Sequence, residues 1–116
     1  MPALNKDKVG RDFARAVNMA PAELREWLES EESRKVGWKA KGRSESIGHA
    51  SGRQIVKILR TEQAALTDED YAHMRKVVGY VARHLAQRPE NVVTSRWRYS
   101  LMNWGHDPLK DERPVA

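Results

Sequence analysis

Arg53, Lys57 and Arg60 stand at i, i+4 and i+7, the spacing that places three cations on one side of a helix. Such a stripe suits successive phosphates of a polyanion, each contact releasing a condensed counterion. It closes a longer basic segment. Between Arg34 and Arg60 lie eight basic residues and one acid, Glu45, a segment charge of +7 against a formal +5 for the whole chain. Lys39, Lys41 and Arg43 fall in its first half, beside Trp38. The stretch Glu45–Arg53 (ESIGHASGR) runs into the stripe. Glycines let backbone amides approach an anion, and a helix start offers unpaired N–H groups, so Ser51 and Arg53 are further candidate donors. The spacing is not that of a phosphate-binding P-loop, because no Gly-Lys-Ser/Thr follows. Trp38 is expected to pack its loop onto the domain rather than to stack on a base.

A second basic face lies further on. Lys76, Tyr80, Arg83 and Gln87 repeat at intervals of four, three and four, opposite the apolar stripe of their helix. Basic residues with one aromatic and one amide suit a DNA surface, and Arg and Gln reach base edges in a major groove. The histidines offer no metal chemistry. His73 and His84 are three helical turns apart, and no HExxH-type pair accompanies them or His49 and His106. His106 and Asp107 are expected to orient each other or to brace a helix end. No catalytic residue, metal or cofactor is expected.

These residues need helices to position them. Val9, Phe13, Ala16 and Val17 predict a first helix over about Lys6–Asn18. Pro21 opens a second, with Leu24, Trp27 and Leu28 apolar, ending around Ser30 to Ser33. Residues 36–52 have no period and four glycines, and read as a loop. Ser51 reads as the N-cap of a third helix that runs to about Thr61. Thr67 and Asp70 resemble a capping box for the fourth and longest helix, which reaches Arg88 before Pro89. Trp97, Leu101 and Trp104 mark a fifth, with Gly105 at its end. Trp27, Trp97 and Trp104 are expected in the core. No strand-like alternation occurs. The expected fold is all-α: about five helices in one small domain spanning 1–116, with a basic loop at 34–52, poorly ordered ends at about 1–5 and 111–116, and a helix-turn-helix-like pair in the third and fourth helices.

Composition narrows the function classes. The chain has 116 residues, 40% hydrophobic and 32% charged, which is globular rather than disordered. Cysteine is absent, which excludes disulfides and thiolate metal sites. No apolar run approaches a membrane span, and no signal-peptide core opens the chain. A cytoplasmic location is expected, nucleoid-associated if the partner is DNA. The acids cluster at Glu62, Asp68, Glu69 and Asp70, so charge alternates along the chain.

ESIGHASGR, with DYAHMRKVVGY over 70–80, HLAQRP over 84–89 and WRYSLMNWGHDPLK over 97–110, gives nearly the whole chain a likeness. It resembles a family of small bacterial and fungal proteins classed as a domain of unknown function. Members of that family are often labelled DNA-binding, so the resemblance implies a DNA partner but no particular binding residues. The leading expectation is a protein that grips double-stranded DNA mainly by its phosphates, with little sequence preference. The alternative is a protein-interaction or regulatory module meeting an acidic protein partner. A third reading, a small-ligand or enzymatic protein, would use the Gly48–Arg53 turn.

Overall fold

Five of the six helices start on a side-chain cap, from Asn5, Ser30, Ser46, Thr67 and Ser95. The computed structural model describes residues 5–110. The helices are α1 (Lys6–Ala16), α2 (Pro21–Leu28), α3 (Glu31–Lys35), α4 (Ile47–Leu59), α5 (Asp68–Leu85) and α6 (Arg96–Asn103), with a 3₁₀ turn at Gln63–Ala65 before α5. No strand forms among the described residues. The uncapped helix, α2, instead places Pro21 at its first position, where the missing N–H costs nothing. Thr67 and Asp70 make the expected reciprocal box. The Thr67 hydroxyl accepts from the Asp70 N–H (3.1 Å) and the Asp70 carboxylate accepts from the Thr67 N–H (2.9 Å).

Among the described residues α1, α2, α4, α5 and α6 close around one core, with α6 as its hub. α6 touches α2, α3, α4 and α5, while α1 packs on α5 and α2 on α4. Leu24, Ile55, Val77 and Leu101, one each from α2, α4, α5 and α6, are fully buried. Each such side chain contributes about 1.5–3 kcal/mol by leaving water. Trp97 and Trp104 are buried and Trp27 packs against the core from its edge. The ends of the chain are sewn together. Asn18 and Met19 donate their N–H groups to the Gly105 carbonyl (3.0 and 3.2 Å), and His106 Nδ1 donates to the Ala16 carbonyl (2.7 Å). His106 therefore braces the end of α1. Asp107 takes two N–H groups from Arg98 (3.1 and 3.2 Å). Burial would raise its pKa, but Arg98 and the Leu109 N–H outweigh that and hold it below the ordinary carboxylate value.

Several expected boundaries move. The second helix divides, because the Ser30 hydroxyl takes the Ser33 N–H (3.2 Å) and restarts the chain as α3. α4 begins at Ile47, capped by Ser46, so the expected loop over 36–52 ends at Ser46 and Ser51 lies within the helix. α5 stops at Leu85, short of Arg88. The Gln87 N–H and the Trp97 indole N–H both take the His84 carbonyl (3.0 and 2.6 Å), which closes the helix there. α4 and α5 are joined by residues 60–67, longer than the turn of about 3–4 residues in a helix-turn-helix, and pack mainly on other helices. They do not form such a unit. The ends expected to be poorly ordered lie outside the described residues, except Asn5, which caps α1. Among the described residues no helix is long and apolar enough to cross a membrane.

Candidate nucleic-acid interface

The loop over 36–46 folds back across the start of α4. Gly37 (φ 92°) and Gly42 (φ 82°) supply backbone shapes that L side chains disfavour, and the Ile47 N–H donates to the Trp38 carbonyl (2.9 Å). This fixes the backbone of Trp38 but leaves its side chain 69% exposed. The expectation that Trp38 packs down is therefore overturned. Its anchor is the main chain, so the indole is free.

Beside it opens a groove of about 330 Å³, bounded by the loop, the start of α4, α5 and α6. Trp38 and Ile47 form one wall, and Lys76, Tyr80 and Arg83 come from α5. Asn103 and Trp104, both buried, form the floor. Asn103 is held rigidly. Its side-chain oxygen accepts from the Trp27 indole N–H (2.8 Å) and the Ser33 hydroxyl, and its amide donates to the Ser33 carbonyl (3.0 Å).

Five rings stack along the seam of α5 and α6 in the order His73, Trp104, Tyr80, His84, Trp97, with centroids 6.3, 4.2, 5.0 and 6.3 Å apart. The Arg88 guanidinium lies 5.7 Å from the Trp97 ring at the far end. Burial pushes His73 and His84 below the ordinary histidine value, so both rings stack as neutral partners at neutral pH. Burial also raises the Tyr80 phenol, against an opposing hydrogen bond to Ser100. The tryptophan N–H groups divide sharply. Trp27 donates to Asn103 and Trp97 to the His84 carbonyl, but the Trp104 N–H has no hydrogen-bond partner among the described residues. It lies at the groove beside Gly48, where an added Cβ would stand 2.9 Å from Trp104 Nε1.

The far side of the loop is different. Glu45 accepts two N–H groups from Arg53, one at 2.8 Å, and pairs with His49 Nδ1, while His49 Nε2 meets the Leu28 carbonyl (2.7 Å). Its bonds to Arg53 hold the Glu45 carboxyl down to about 2, well below the ordinary 4.5. Two depressions of about 250 and 240 Å³ adjoin this cluster, sharing Arg34 and His49; Lys39 lines one and Arg25 and Arg53 the other.

The eleven residues expected at a binding surface are thus divided. Lys76, Tyr80 and Arg83 meet at the groove, whereas Lys39 and Arg53 line the other side of the loop. Lys41, Arg43, Lys57 and Arg60 are exposed. Ser51 is buried and hydrogen-bonded to His73 Nε2 (2.9 Å), so it is no anion donor. Gln87 is exposed but lies past the end of α5, off the helical face expected for it. The Gly48–Arg53 stretch is helix rather than turn. Trp38, Trp104 and Asn103 were not expected at the site. Trp38 carried a local signal, a large aromatic between Gly37 and Lys39. Asn103 and Trp104 carried none, since α6 reads as a core helix. No group of three His, Asp or Glu residues among the described ones could hold a metal ion.

The family model described as a protein of unknown function, DUF3140, matches residues 12–102. No curated protein and no solved structure matches the chain.

Proposed function

Since the chain belongs to the DUF3140 family, whose description assigns no function, we propose a role from its own surface: it binds DNA, chiefly through phosphates, using the loop over 36–46 and the exposed side of α5. One observation carries this reading. Lys39, Lys41 and Arg43 of the loop and Lys76 and Arg83 of α5 are exposed and make no ion pair among the described residues, and the two segments meet at the groove. Unpaired surface cations favour a polyanion, because a structural role would supply them with acids. Arg53 adds no free charge, because Glu45 neutralises it.

Gel-shift titration with random duplex at low and moderate salt tests the reading. Binding at low salt that falls steeply with added salt supports it, and the double variant Lys76→Glu with Arg83→Glu abolishes that binding. Absence of binding at low salt sinks it.

A protein partner is the second reading, favoured by Trp38 and Ile47, which stand 69% and 42% exposed on one groove wall. Apolar contact of that kind survives high salt, so a complex retained at high salt without DNA supports this alternative.

A further inference from the structure

We propose that the groove beside Trp38 receives an unpaired base of single-stranded DNA; this rests on the nucleic-acid reading above and adds the form of the ligand. Three independent features converge. Trp38 offers a flat, exposed aromatic face fixed through its backbone. Successive bases stack on such faces whatever their sequence, because every base has a π-surface. The opposite wall is the edge of a ring stack, not another open face. Tyr80 is covered by Trp104 on one side and His84 on the other, so it presents ring edges to the groove. Ring edges are the positive part of the aromatic quadrupole and suit the electron-rich face of a base.

The third feature is the Trp104 indole N–H. Trp104 is 4% exposed, and its N–H lacks a hydrogen-bond partner among the described residues. The indole N–H groups of Trp27 and Trp97 each meet an acceptor, whereas that of Trp104 opens onto the groove surface. Here the donor lies at a groove whose other lining sets Trp38, Ile47 and Tyr80 beside Lys76, Arg83 and Ser100. An acceptor on the edge of a base would complete it. Lys76 and Arg83, on the same groove, are placed for the phosphates flanking that base. A paired base has both faces stacked and its pairing edge hidden, so a duplex cannot present these surfaces together.

The test compares labelled oligothymidylate with a random duplex of equal length by fluorescence anisotropy at one salt concentration, using the full chain. Oligothymidylate is expected to bind at least about tenfold tighter, in line with the value of base–aromatic stacking. Trp38→Ala removes that advantage, whereas Trp38→Phe keeps most of it. Trp38 is exposed, so neither variant threatens folding. Trp104→Phe, which deletes the N–H but keeps the ring, lowers oligothymidylate affinity severalfold, with circular dichroism confirming the fold. Equal binding of the two DNAs, unaffected by Trp38→Ala, overturns this inference and leaves the DNA-binding reading standing. Binding of neither overturns both. Tighter binding of oligouridylate overturns the choice of DNA.

Discussion

At Glu45, Arg53 places two N–H groups on one carboxylate, whereas Lys76 and Arg83 reach the groove with no acid partner among the described residues. Equal formal charges are therefore unequal at the surface. Lys76→Ala is expected to reduce the slope of log K against log salt by about 0.9, the share of one phosphate contact. Arg53→Ala leaves the slope nearly unchanged, and Glu45→Gln steepens it by releasing the guanidinium; a salt titration of each variant checks all three. The same pair sets an acid response. Glu45 titrates near 2 when folded and near 4.5 ordinarily, so its stabilising contribution is complete above about 4.5 and is lost as pH falls towards 2. Arg53 is 63% exposed, so solvent screening limits the effect to on the order of 1 kcal/mol. Urea unfolding from pH 5 to pH 2 measures it, and Glu45→Gln removes that part of the decline.

The helices show where glycine serves packing. A Cβ on Gly52 of α4 would stand 2.6 Å from the Asn103 carbonyl oxygen and 2.6 Å from Leu28 Cδ2. Gly52→Ala is expected to destabilise by about 1–3 kcal/mol, since backbone cannot yield as a flexible side chain would. Gly10 of α1 meets nothing within 4 Å, so Gly10→Ala should stabilise by about 0.5–1 kcal/mol. Thermal melts of the two variants move in opposite directions. This contrast explains what the sequence disclosed and what it hid. Thr67, Asp70 and the stripe from Tyr71 to Val81 announce α5 because cap and periodicity are local. The start of α4 is concealed, because Ser51 reads as its cap and Gly48 and Gly52 read as loop residues. What makes them helical is the close approach of α6 and Leu28, which no local pattern encodes. Likewise Lys76, Tyr80 and Arg83 were legible from spacing alone, but the Trp38 wall and Trp104 floor are products of tertiary packing.

The whole molecule is organised by its shortest-range chemistry at its longest sequence separations. Asn103 binds Ser33 and Trp27, Gly105 binds Asn18 and Met19, and α6 touches four other helices. With one shared core, unfolding is expected to be a single transition. Urea curves followed by tryptophan fluorescence and far-UV circular dichroism should therefore superimpose; separated midpoints would reveal a unit that melts alone. The floor of the groove also sets an order in time. Ser100, Asn103 and Trp104 follow every other groove residue in the chain. A polypeptide emerging from the ribosome displays its loop cations and Trp38 before any floor exists beneath them. Only when Trp104 has cleared the exit tunnel do Trp38, the Trp104 N–H and the cations of α5 come together. On the proposed reading, a chain stalled after α5 would carry the loop cations but lack the recess lined by Ser100, Asn103 and Trp104, so discrimination between ligands would arrive with the last turn of α6.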